Sequence, residues 1–286
     1  MIVSKPEQVR KHLPSYNFKV GPDRLNDFLQ RAQEWVTEYI IGESIAADLE
    51  APVQEGHTDQ HANLRTLTSR VICEHAYLTA AAEMDLQLSE AGFVVQNSNG
   101  VAPASQQRVD RLVQSLGGRM NDDCDALVKY LLKESKGGRL YEEWRGTEQY
   151  SYLTQAFTPT MSELRQHSNR QLEGGWREFL ELLPQLNLSM RTTLADYVSI
   201  EQVEAMLEIY RDYYGYLGAV HRNVLRWFIM SAMADIDGQT DNAIHFAIEA
   251  RGYMLLHQAD FADFVNSDRF NLPDVDFGEG PVANLL

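Results

Sequence analysis

Apolar residues recur at three- and four-residue steps along most of this 286-residue chain, and that period belongs to amphipathic helices. Leu25, Phe28, Leu29, Ala32, Trp35, Val36, Tyr39 and Ile40 follow Gly21-Pro22-Asp23, a helix-start signal, and predict a helix reaching about Glu50, before Pro52. Residues 53–60 are polar and turn-rich and read as a loop. Leu64, Leu67, Val71, Ile72, Leu78 and Ala82 predict a second long helix, whose Ala80-Ala81-Ala82 end suits a close helix crossing. Val109, Leu112, Val113 and Leu116 mark a third, capped by Ser105 and interrupted at Gly117-Gly118, and Asp122 to Leu132 resumes the pattern.

The second half repeats this language at an offset of about 150. Phe28 matches Phe179, Leu29 Leu180, Leu67 Leu217, Leu78 Phe228, Ala82 Ala232 and Asp85 Asp235. Thr160 with Glu163, and Ser199 with Gln202, have capping-box spacing. Val203, Met206, Leu207 and Tyr210 fit one helix, Val220, Val224, Leu225 and Phe228 another, and Ile244, Ile248, Leu255 and Phe264 a last long one. Between the halves, Gly137-Gly138 and Gly146 punctuate a polar run.

The expected fold is therefore mainly α: two helical-bundle lobes, residues 1–137 and 138–270, related by internal duplication. Two segments stand outside the helical pattern. Residues 92–104 carry the β-formers Phe93, Val94 and Val95, a turn cluster at Asn97–Gly100 and a closing Pro103, and predict a short hairpin or extended arm in the first lobe. Residues 271–286, with two prolines, two glycines and an apolar Leu285-Leu286 tip, read as an extended, mobile tail.

Charge narrows the function. With 41 acidic against 25 basic residues the formal net charge is −16, which excludes a broad phosphate-neutralising face. The two cysteines, Cys73 and Cys124, cannot make a disulfide framework and suit buried helix positions. The start of the chain lacks the apolar core of an export signal, and no stretch is long and apolar enough to cross a membrane. Synthesis in a reducing cytoplasm is the expectation.

Candidate chemistry is sparse. His57 and His61 share a four-residue spacing without the Glu of an H-E-x-x-H site, and His75 with Glu74 fits a hydrogen-bonded interior position. His221, His245 and His257 fall on successive helices and could converge on a metal, but the paired E-x-x-H motifs of di-iron bundles are absent. Asp122, Asp123 and Asp125 read as an acidic helix N-terminus. Phosphate-binding loops, the serine-hydrolase elbow and Cys-x-x-Cys are absent as well. The aromatic runs Tyr210–Tyr216 and Tyr141–Phe157 fit core packing or an interface. No catalytic, cofactor-binding or metal-binding residue is assigned, and no cofactor is expected.

From Ile72 to Leu132 the sequence combines a small-residue helix, AGFVV, an Asn-Gly turn, VAPAS and a helix opening QQRVDRLVQSL. This helix–arm–helix module resembles the head–tail connector, adaptor or head-completion proteins of tailed phages and prophages, closest to an uncharacterised two-part branch; the likeness covers roughly residues 25–135. The resemblance implies a non-enzymatic virion protein, made in the host bacterial cytoplasm, that forms a homo-oligomeric ring under the portal and extends the DNA channel toward tail or stopper proteins. DNA would pass without specific binding, and no membrane would be involved. Phe93, Val94, Val95, Asn99 and Val101 of the arm, and Phe277, Leu285 and Leu286 of the tail, are the expected interface residues. Two alternatives compete: a helical metal-binding protein or enzyme built on the second-half histidines, and a solitary cytoplasmic helical adaptor.

Overall fold

Helices carry nearly all of the described chain. The computed structural model describes residues 1–13, 23–52, 61–84, 87–89, 92–94, 106–134, 138–168 and 170–271, and the chain divides into two compact units, Met1–Gln185 and Leu186–Leu286.

The first unit opens with α1 (Pro6–His12) and α2 (Asp23–Val36), then crosses a π turn at Thr37–Ile41 into α3 (Gly42–Glu50). Two long helices follow, α4 (Ala62–Met84) and α5 (Gln106–Lys129), the latter ending in a second π turn at Tyr130–Glu134. Between them β1 (Gln87–Ser89) pairs antiparallel with β2 (Gly92–Val94), Leu88 opposite Phe93. Short helices α6 (Arg139–Arg145), α7 (Glu148–Leu153) and α8 (Met161–His167) lead to α9 (Gly175–Ser189). Leu29, Ala32 and Val36 of α2, Val71, Ile72 and Ala76 of α4, and Leu127 and Val128 of α5 are buried at the centre. Each large aliphatic among them contributes roughly 1.5–3 kcal/mol by leaving water. The three- and four-residue steps of the sequence therefore point at one shared seam.

The bend between α2 and α3 organises the rest of this unit. Gly42 turns the chain at φ 78°, a left-handed conformation that glycine adopts without steric cost, and a Cβ there would lie 3.0 Å from Gln149 Oε1. Within the π turn the Ile40 carbonyl accepts from Trp144 Nε1 at 2.8 Å, and the Glu38 carbonyl accepts from Gln149 Nε2 at 2.9 Å. Trp144 is fully buried against Tyr150 in an edge-on contact at 5.2 Å. These bonds dock α6 and α7 onto the bend. The division between units consequently falls at Gln185–Leu186, just after Pro184 inside α9, and not at Gly137-Gly138 where glycine punctuation placed it.

The second unit begins with the end of α9 and a π turn at Met190–Leu194, followed by α10 (Ala195–Val198), α11 (Ile200–Asp212), α12 (Ala219–Ile236), α13 (Thr240–Leu256), a 3₁₀ turn at Gln258–Asp260 and α14 (Ala262–Val265). Val224, Phe228, Ile229 and Ala232 of α12 face Ala243, Ala247, Ala250 and Met254 of α13, all buried. The alanines let the two backbones approach closely. Ser231 Oγ, deep in that seam, donates to the Ala243 carbonyl at 2.8 Å. Asp235 accepts from Ser189 Oγ at 2.6 Å and Thr193 Oγ1 at 2.9 Å, tying α12 to the π turn.

Four local expectations change. Gly117-Gly118 does not interrupt α5, which runs through both because the buried positions Leu116, Cys124, Leu127 and Val128 hold the helix together against a cost of about 1 kcal/mol per glycine. The last helix stops at Leu256, which is 81% exposed, and a separate α14 carries Phe264. Its buried face is the alanine row, while Ile244 and Ile248 are half-buried. Phe93 and Val94 pair with residues that precede them; the Asn97–Gly100 turn, the arm beyond Val94, residues 53–60 and the tail beyond Asn271 lie outside the described residues.

Candidate interaction surface

Helices α4 and α5 form an antiparallel pair held by two reciprocal ion pairs. Arg70 of α4 pairs with Asp123 of α5, and one turn along, Glu74 of α4 accepts from Arg119 of α5 at 2.5 Å. Arg119 also donates to the His12 carbonyl at 3.3 Å, adding the end of α1. Residues 85–105 connect the paired ends. Glu74 is 1% exposed and its Oε2 has no hydrogen-bond partner. Burial pushes its carboxyl up from the ordinary range, against the opposing pull of Arg119.

That direction fixes a pH dependence. A carboxyl with a folded pKa above its unfolded value binds more protons in the native state, so its contribution is full at low pH and falls as pH rises through the folded value. Glu74→Gln, which keeps an acceptor for Arg119, should therefore gain stability relative to wild type as pH rises above the ordinary carboxylate range, with a slope of at most about 1.4 kcal/mol per pH unit. Urea midpoints measured at several pH values check this. A wild-type chain that gains on the variant with rising pH would show that Arg119 outweighs burial.

The acidic run on α5 sits inside the helix, not at its N-terminus, because tertiary partners claim the carboxylates. Asp125, 7% exposed, accepts from Met161 N at 3.0 Å, Ser162 N at 2.8 Å and Trp176 Nε1 at 3.0 Å. It thus satisfies the first amides of α8 from another helix, beside the Thr160 cap. One turn earlier, Asn121 Oδ1 accepts from Trp176 N at 3.1 Å. Gly175, at φ 61°, is required there, since a Cβ would fall 2.7 Å from Asn121 Oδ1. Sequence reasoning missed this junction; its only signal was the polar Asn121 and Asp125 at four-residue spacing on an otherwise core-facing side.

Beside the junction lies a cleft of about 460 Å³, lined in part by Trp35, His75, Gly117, Gly118, Asn121 and Trp176. The His75 ring stacks on Trp35 at 4.8 Å, and burial holds its pKa below the usual value, so the imidazole is neutral at pH 7. Gly117 and Gly118 have nothing within 4 Å of where a Cβ would stand. The cleft offers ring faces, open backbone and amide groups, together with Thr79, Glu173 and Arg177 on its walls. The N-terminal half of α5 is open as well: Leu112 is 39% and Val113 38% exposed, whereas Leu116 on the same stripe is buried.

The sequence-derived candidates separate. Phe93 and Val94 lie in β2, while Val95, Asn99, Val101, Phe277, Leu285 and Leu286 lie outside the described residues, as does His57. The second-half histidines pack on different aromatic rings, His221 on Phe261 at 5.4 Å, His245 beside Phe246 at 5.5 Å and His257 on Tyr253 at 4.4 Å. Among the described residues no group of three or more His, Cys, Asp or Glu could hold a metal ion. Cys73 and Cys124 are buried free thiols, Cys73 pushed up to about 12 by burial, which suppresses the reactive thiolate. No helix of the described residues is long and apolar enough to cross a membrane.

No curated protein and no solved structure matches the chain. Residues 20–154 are similar to a family of unknown function, DUF6712, and that stretch runs from just before α2 to the residue after α7, past Gly137-Gly138 and through the helices that dock on the α2–α3 bend.

Proposed function

We propose that this chain is a structural virion protein, a head–tail connector or adaptor that forms a homo-oligomeric ring beneath the portal and extends the DNA channel toward the tail. The observation that carries the reading is the helix–arm–helix module itself. Two helices, α4 and α5, locked by Arg70–Asp123 and Glu74–Arg119, hold residues 85–105 between them. Such a frame fixes where a short strand pair is offered. A two-stranded pair is marginal alone and gains from edge pairing or packing with a neighbour. The acidic balance of the chain suits a surface past which DNA slides without adhering. On this reading the protein is non-enzymatic, is made in the bacterial cytoplasm and is carried in the virion, and its arm makes contacts to neighbours or portal.

The two units also support a duplicated design. Each places a π turn before a packed pair of long helices, α4–α5 and α12–α13, and Leu78 and Phe228 fall on the matching helices. Leu67 and Leu217 do not correspond, one lying within α4 and the other in the loop before α12. The test of function is cryo-electron microscopy of the protein mixed with the portal protein of the same genome. A symmetric ring on the portal is expected. A monomer that leaves the portal bare would sink the reading.

A further inference from the structure

Helix α5 carries two adjacent glycines that its packing does not require. Each costs about 1 kcal/mol against alanine inside a helix, and where a Cβ would stand at Gly117 or Gly118 no described residue lies within 4 Å. Gly174 and Gly175 differ, since a Cβ there would fall 3.0 Å from Glu178 Cβ and 2.7 Å from Asn121 Oδ1. Gly117 and Gly118 instead leave bare backbone on the wall of the cleft of about 460 Å³. Such a wall lets a bound group come close to the chain.

Two helix faces supply the cleft with flat, uncharged chemistry. Gln114, Gly117, Gly118 and Asn121 lie within one stripe of α5, and His75 and Thr79, four residues apart, share a face of α4. The neutral His75 ring stacked on Trp35 at 4.8 Å gives the cleft an aromatic surface for stacked or edge-on contact with another ring. The Gln114 amide is exposed, makes no hydrogen bond among the described residues, and can both donate and accept. Asn121 Oδ1 is taken by Trp176 N, which leaves Nδ2 to donate; Thr79 Oγ1 donates to the His75 carbonyl, which leaves its lone pairs to accept. Of the charged wall residues, Arg177 pairs with Glu181 at 3.2 Å, while the Glu173 carboxylate has no partner among the described residues. In a chain of net charge −16 that carboxylate selects against a phosphate-bearing ligand and offers an acceptor to hydroxyl groups.

We propose that this cleft binds a flat, uncharged heteroaromatic ring with hydrogen-bonding edges, the chemistry of a nucleobase, carried as a free base or nucleoside. Gln114 and Asn121 meet the edges of the ring, Gly117-Gly118 admits it against the backbone, and Glu173 accepts from sugar hydroxyls. The whole cleft belongs to the first unit, so the proposal does not depend on a ring of subunits.

In full-length Trp227→Phe protein the remaining tryptophans all lie in the first unit, and Trp35 and Trp176 line the cleft. Adenosine is expected to change their emission saturably. Gln114→Leu should weaken binding about fivefold. Gly118→Leu, whose side chain enters open space, should abolish binding while the urea midpoint stays level or rises. AMP and a single-stranded oligoadenylate should bind more weakly than adenosine. Emission that neither adenosine, guanosine, cytidine nor uridine changes overturns the proposal, as does a Gly118→Leu chain that binds like wild type. Indole binding as tightly as adenosine overturns it too, because the hydrogen-bonding edges would then have no role. Tighter binding of the oligoadenylate would bring the base in on a strand and defeat the free-ligand form. A ring on the portal without adenosine binding sinks the cleft alone, and adenosine binding by a chain that leaves the portal bare sinks the connector reading alone.

Discussion

Asp125→Ala should destabilise the first unit by about 2–4 kcal/mol, because it orphans the first two amides of α8 and leaves Trp176 Nε1 with only its second acceptor, the Asn121 carbonyl at 3.0 Å. The carboxylate, 7% exposed, accepts from two successive amides at the start of α8 and from the Trp176 indole, all at 2.8–3.0 Å. Hydrogen bonds to a charged acceptor are each stronger than neutral ones. Asp125→Asn is expected to recover only part of the loss, since its amide turns a donor toward donors. Trp35, Trp144 and Trp176 belong to the first unit and Trp227 to the second, so tryptophan fluorescence in a Trp227→Phe background follows the first unit through urea unfolding. A loss below about 1 kcal/mol would mean that solvent reaches α8 and that the junction is peripheral.

Asp125 also shows where sequence reasoning stops. Its neighbours Asp122 and Asp123 suggested an acidic helix start, a rule that uses only adjacent residues. The partners that decide the matter, Arg70 and the amides of α8, lie 53 and 36 or 37 residues away. Where burial follows large aliphatic side chains the period was readable: Leu29, Val36, Val71 and Ile72 are in the core as expected. Where small residues make the contact it was not, and on α13 the alanine row is buried in preference to Ile244 and Ile248. Glycine punctuation failed in both directions. Gly117-Gly118 lies within a continuous helix, while Gly42, which does turn the chain at positive φ, stands among ordinary helical residues in the sequence. The histidines of the second half were spaced for convergence, but helix rotation sends each ring to a different aromatic neighbour.

Trp144→Ala should cost about 3–5 kcal/mol, and the way that loss is distributed decides how the first unit is built. The side chain is fully buried, packs edge-on against Tyr150, and donates to the Ile40 carbonyl in the π turn. Truncation removes the ring volume and the indole donor to the Ile40 carbonyl. Trp144→Phe keeps most of the volume and loses only the donor, so it should cost about 1–2 kcal/mol. Both substitutions are expected to shift the urea midpoint of the whole first unit without changing the slope, because α6 and α7 are docked on the same bend that joins α2 to α3. If Trp144→Ala instead released α6 and α7 as a separate early step, leaving α2, α4 and α5 at their original midpoint, Gly137-Gly138 would mark a real boundary of folding. A single shifted transition would place residues 139–153 inside the same cooperative core as the helix–arm–helix module, in keeping with a family likeness that runs through Thr154.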